Sequence, residues 1–96
     1  MRSINWSEVS YEDYHQNIDY LLSEWSEKSA KKFIDEVERT LELLVKNPKM
    51  YPLSNYEGLR KAVITKQITL YYKIQKDSII LVRFWNNYQN SDFMNT

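Results

Sequence analysis

GLRKAVITKQITLYYKIQKDSIILVRFWNNYQN, residues 58–90, decides the architecture. Three strand-like runs lie in it, at residues 59–65, 68–74 and 79–85, each rich in β-branched and aromatic side chains. The links are short (Lys66-Gln67, then Gln75 to Ser78), so adjacent strands should form antiparallel hairpins. Side chains alternate along a strand. In the middle run Ile68, Leu70, Tyr72 and Ile74 therefore share one face, and Thr69, Tyr71 and Lys73 the other. In the last run Ile80, Val82 and Phe84 oppose Ile79, Leu81, Arg83 and Trp85. That run is apolar on both faces until Arg83, as expected of a central strand.

Working back toward the N-terminus, residues 3–9 (SINWSEV) alternate weakly, with Ile4, Trp6 and Val9 apolar, and predict a short first strand. Ser10 is the expected helix N-cap, with Glu12 and Asp13 in the first turn. The predicted helix covers residues 11–25. Tyr14, Ile18, Leu21, Leu22 and Trp25 form its apolar face, and Asp13, Gln16, Asp19 and Glu24 are left for solvent. Ser26 then caps a second helix, whose Ala30, Phe33, Ile34, Val37, Leu41 and Leu44 keep helical spacing until Asn47-Pro48 stops it. The two helices nearly abut and form a hairpin. Residues 49–58 are a loop with two aromatic anchors, Tyr51 and Tyr56, ended by the only glycine, Gly58.

The order is β-α-α-β-β-β. It predicts an α+β fold in which a helical hairpin packs on one face of a mostly antiparallel four-stranded sheet. If the apolar alternates point to the helices, Tyr71, Lys73, Arg83 and Trp85 lie on the other, partly open face.

The bulk numbers bound the rest. A chain of 96 residues, 43% hydrophobic and 15% aromatic, is expected to be one domain with one modest core, not a disordered tail. With no cysteine there is no disulfide framework, thiolate metal site or cysteine nucleophile. No signal-like apolar region or membrane-length stretch occurs, so a cytoplasmic protein is the default expectation. Net charge is zero but unevenly spread. Residues 1–59 hold 7 basic and 11 acidic side chains; residues 60–96 hold 6 basic and 2 acidic, a change from −4 to +4. A neutral protein so divided can still offer a basic surface to an anionic partner.

The layout resembles the RelE/ParE superfamily of toxins from type II toxin–antitoxin systems, often described as plasmid-stabilisation proteins. The likeness spans nearly the whole chain. It is carried by a first strand ending Trp6-Ser7, by Ile18-Asp19-Tyr20 and Trp25 in helix 1, and by Leu44, Asn47 and Pro48 closing helix 2. Gly58-Leu59-Arg60 opening a strand, the strand from Leu70 to Ile74, Arg83, Asn86-Asn87 and Gln89-Asn90 complete it. The resemblance implies a cognate antitoxin as partner, and a homodimer as a form of the free chain. It also implies one of two targets: ribosome-bound mRNA, cleaved by RelE-like members, or DNA gyrase, inhibited by ParE-like members. A third reading is an attenuated toxin that only binds its antitoxin and autoregulates. No cofactor or metal and no membrane association is implied.

For a cleaving enzyme, the resemblance and the chemistry select Arg60, Arg83 and Tyr88 as catalytic candidates. A guanidinium pairs bidentately with phosphate and stabilises the charge that grows in the transition state. Tyr88 could move a proton, although an ordinary tyrosine pKa near 10 makes a poor base. Lys61, Lys73, Tyr71 and Trp85 are the candidates for phosphate or RNA binding, with Trp85 able to stack a base. Each has a competing structural role. Arg60 could order its loop through backbone carbonyls, and Arg83 could lay its stem over Tyr71 or Trp85. The lysines could guard strand edges, and Tyr88 and Trp85 could serve packing or an antitoxin interface. His15, the only histidine, reads as an ordinary residue of helix 1, and the acids of helix 2 as a solvated face with ion pairs.

Overall fold

The computed structural model describes residues 2–56 and 58–89. Asn90, part of the resemblance, and Asp92, counted in the charge of the basic segment, lie outside them. The elements run β1 (Ser3–Trp6), α1 (Glu8–Glu24), α2 (Glu27–Lys46), β2 (Arg60–Val63), β3 (Ile68–Gln75) and β4 (Ser78–Asn86). They form one four-stranded sheet, ordered β1-β4-β3-β2, with β1 parallel to β4 and the other pairs antiparallel. The predicted α+β fold and element order are those observed.

The core lies between the helical hairpin and one sheet face. Leu21 of α1 and Ala30, Phe33, Val37 and Leu44 of α2 meet Ala62, Ile68, Leu70, Tyr72, Ile79, Leu81 and Phe84. Leu81 and Phe84 are three residues apart, yet both are buried on that face. Strict alternation forbids this, and the register shows how it is done. Tyr71 pairs with Arg83 and Tyr72 with Leu81, so Val82 is an extra residue in β4, a β-bulge. The expected split of β4 into Ile80, Val82 and Phe84 against Ile79, Leu81, Arg83 and Trp85 therefore holds only locally. Phe84 changes sides relative to Ile80, and joins Ile79 and Leu81.

Helix α1 begins earlier than predicted. Its N-cap is Ser7, whose Oγ accepts from Ser10 N at 3.0 Å, because β1 ends at Trp6 rather than Val9. Ser10 is buried inside the first turn and donates its hydroxyl to Ser7 O at 2.9 Å. The buried face of α1 is also different. Leu22 and Trp25 are exposed, while Ser10, Asp13, Asn17 and Leu21 are buried. Asp13 was expected in solvent, and the reason for its burial lies in β4, described below.

Helix α2 starts and stops as its sequence predicts. Ser26 Oγ accepts from Ser29 N, and Asn47 leaves the helical region before Pro48, which disfavours the α conformation in its neighbour. The following loop clasps the β2 end of the sheet. Lys61 N donates to Pro52 O and Ser54 N to Leu59 O, which covers part of that edge. Tyr51 packs edge-on against Tyr72 on the helix side, and Tyr56 packs edge-on against Tyr71 on the opposite side. Gly58 makes the return turn at φ 78°, a conformation that other L-residues adopt only with strain.

Candidate functional site on the sheet and its edge

The register sets the face opposite the helices in rows. Lys61, Tyr71 and Arg83 lie side by side across β2, β3 and β4. Val63, Thr69 and Trp85 form the next row, and Lys73 stands opposite Ile80. Lys61, Lys73, Tyr71 and Trp85 are thus brought onto one face, as alternation predicts. The face is less open than expected. Tyr71 is 9% exposed under the Tyr56 ring, and Trp85 is 5% exposed with the Arg83 guanidinium 5.0 Å from its ring centroid. Burial, and then the neighbouring Tyr56, push the Tyr71 hydroxyl above the usual tyrosine range. It is poorly suited to act as a base.

Arg83 is occupied. Its Nε donates to Asp13 Oδ2 at 2.6 Å and its Nη2 to Asp13 Oδ1 at 3.1 Å, a bidentate ion pair. Asp13 Oδ2 also accepts from Phe84 N at 3.1 Å. This is the reason for the burial of Asp13. Strand β1 covers the outer edge of β4 only as far as Leu81, and α1 covers the rest. Ser7 donates to Val82 O at 3.2 Å, and Asn17 Nδ2 donates to Phe84 O at 2.9 Å and its Oδ1 accepts from Asn86 Nδ2 at 3.2 Å. Buried backbone groups need partners, and here helix side chains supply them. Sequence reasoning missed Ser10, Asp13 and Asn17. Their signal was a polar stripe at helical spacing beside the apolar one.

Arg60 lies on the other face. It pairs in register with Tyr72, which points into the core, while Lys61 pairs with Tyr71. Its Nη1 donates to Tyr51 O at 2.7 Å, so it orders the loop through backbone carbonyls. Tyr72 beside it donates its hydroxyl to Pro48 O at 2.7 Å. Burial pushes the Tyr72 pKa up to about 12, although Arg60 and a backbone hydrogen bond with Tyr51 offset part of that rise.

Tyr88 lies elsewhere again. Asn86 Oδ1 accepts from Tyr88 N and Gln89 N, and Asn87 N donates to Gln67 O, so the Asn86-Asn87 pair builds the turn that presents Tyr88. The Tyr88 ring stacks on Trp25, with centroids 5.7 Å apart. Arg83 is bound near residue 13 of the first helix and Tyr88 near residue 25, which is about 18 Å along the axis at the standard rise. Arg60, Arg83 and Tyr88 are therefore held apart. His15 is exposed on α1, flanked by the Tyr11 and Tyr14 rings. Among the described residues no cluster of His, Cys, Asp or Glu could hold a metal ion, and no helix is long and apolar enough to cross a membrane.

Fold, charge division and the sheet face together define a small α+β protein with a basic C-terminal sheet. The chain belongs to the ParE toxin family of type II toxin–antitoxin systems, parDE, whose pattern matches residues 4–90. Among curated protein sequences none matches. Solved structures share its fold at low identity. The chromosomal ParDE toxin–antitoxin system of P. aeruginosa superposes with a TM-score of 0.74 at 17% identity, covering 90% of this chain and 96% of that one. YafQ from E. coli gives 0.62 at 18% identity, covering 97% and 99%. The YoeB dimer from Staphylococcus aureus gives 0.61 at 19% identity, covering 86% and 93%.

Proposed function

We propose that this type II toxin arrests growth by binding a protein target, DNA gyrase, and not by cleaving ribosome-bound mRNA. The observation that carries the reading is the Arg83–Asp13 pair. A phosphate at Arg83 would have to displace a carboxylate held at 2.6 and 3.1 Å and leave Asp13 facing only a backbone N–H. The separation of Arg60, Arg83 and Tyr88 supports the same reading, since cleavage needs charge neutralisation and proton transfer around one phosphate. Lys61, Lys73 and exposed Val63 remain on the sheet face as contacts for the target.

The cognate antitoxin fits elsewhere. Trp6, Tyr14, Ile34, Val37, Glu38 and Leu41 line a shallow groove beside the outer edge of β1. An amphipathic helix laid on that groove would bury the exposed Trp6 and Ile34. The same apolar surface is where a homodimer of the free chain would form, and the cytoplasm is where both target and antitoxin are met.

Expression of the chain alone should inhibit growth, co-expression of the adjacent antitoxin should relieve it, and the purified toxin should inhibit supercoiling by purified gyrase. Primer extension should show no new mRNA ends. New ends that vanish in Arg83→Ala would overturn the proposal in favour of mRNA cleavage. Lone expression without any growth effect, with antitoxin binding intact, would instead establish the attenuated form.

A further inference from the structure

The α1–α2 junction meets the β2–β3 turn in a cleft of about 240 Å³, lined by Trp25, Ser29, Lys32, Thr65, Lys66 and Gln67. The lining holds two ammonium groups and no carboxylate. Among the described residues the ion pairs are Lys31–Asp35, Arg39–Glu36 and Arg83–Asp13, so neither Lys32 nor Lys66 is neutralised. Lys66 Nζ is held 4.7 Å from the Trp25 ring centroid. Cation–π attraction places that charge without cancelling it.

Gln67 is the second and independent observation. It is 5% exposed and lines the cleft, yet its side-chain amide makes no hydrogen bond among the described residues. Thr65 Oγ1 beside it is also buried without a partner. The Gln67 amide atoms still reach solvent, and an amide offers both donors and an acceptor to the cleft. The cleft therefore combines two positive charges with unused hydrogen-bonding capacity at its base. Tyr88, outside that lining, stacks on Trp25 and is 53% exposed.

We infer that this cleft binds a phosphate group, carried by a mononucleotide or by a nucleic-acid backbone. Lys32 and Lys66 neutralise the phosphate, and the Gln67 amide donates to one of its oxygens. The site is separate from the sheet face, and it stands whether the toxin binds a protein or cleaves RNA.

The test is a titration of the full chain followed by ¹H–¹⁵N NMR, with inorganic phosphate, AMP and a short single-stranded oligonucleotide as separate probes. Saturable shifts are expected at the Trp25 indole N–H and the Gln67 side-chain amide. Tighter binding of AMP than of phosphate would identify a nucleotide site. Binding of the oligonucleotide alone would identify a backbone site. The Lys32→Glu/Lys66→Glu double variant, changed only at exposed positions, should weaken binding by about tenfold or more, as loss of hydrogen bonds to a charged group implies. Gln67→Met should weaken it with the amide signal gone, while Lys46→Glu on the far end of α2 should leave it unchanged. Absence of saturable shifts with all three probes overturns the inference. So does a loss of binding in Lys46→Glu equal to that of the double variant, because the attraction would then be diffuse.

Discussion

The outer edge of β4 is satisfied in two ways along its length. From Ser78 to Leu81 it is paired with β1, and backbone meets backbone in register from Ser3 to Trp6. From Val82 to Asn86 no strand follows among the described residues, and the side chains of Ser7, Asp13 and Asn17 take over. The first half needs only an extended chain and tolerates many side chains. The second half needs particular atoms at particular positions of a helix. The same Asp13 that closes the edge also holds Arg83, so edge closure and the state of the sheet face are one arrangement.

Substitutions should separate the two halves sharply. Asp13→Ala should cost the most, about 3 kcal/mol, because it strands a half-buried guanidinium and a buried N–H together. Thermal unfolding followed by circular dichroism should show a fall in Tm of more than about 10 °C. Adding Arg83→Met to that variant should restore part of the loss, and a fully additive double variant would show that the pair is not coupled. Asn17→Ala should cost about 2 kcal/mol in denaturant unfolding, by leaving Phe84 O and Asn86 without their partner. Ser7→Ala should cost about 1 kcal/mol, chiefly as loss of the helix cap. Asn5→Ala, in the exposed middle of β1, should stay within about 0.5 kcal/mol of the parent. If Asn5→Ala proves as damaging as Asn17→Ala, the two halves of the edge are not different in kind.

Particular residues show how much of this was legible in advance. Ser26 and Asn47-Pro48 act through neighbours in sequence and mark the ends of α2, and the short links place both hairpin turns, although β2 ends at Val63 rather than Thr65 and β4 begins at Ser78. The sequence points to Ser10 as the cap of α1, and the structure uses Ser7. The choice falls to Ser7 because β1 stops at its last residue paired with β4, which is a tertiary fact. The bulge at Val82 is invisible along β4 itself, since Ile80, Leu81, Val82 and Phe84 are all apolar. It appears only when the register with β3 puts Leu81 and Phe84 on one face. Arg60 and Arg83 are equally legible as cations on strands. Their faces follow from register, and their occupancy from groups far off in sequence, the Tyr51 carbonyl and the Asp13 carboxylate.

Sequence alone determined the order β-α-α-β-β-β, the two faces of β3, the basic charge of the C-terminal strands and the toxin-family likeness. The order and the charge follow from periodicity, caps and composition, which act over a few residues, and the likeness from short motifs along the chain. Only the tertiary structure decided that the arginines are engaged, that Tyr88 sits apart from them at Trp25, and that polar side chains of α1 and its cap bond the β4 edge beyond β1. A charged or polar side chain takes its role from whichever partner ends the cost of burying it, and that partner can lie some 70 residues away, as Asp13 does from Arg83.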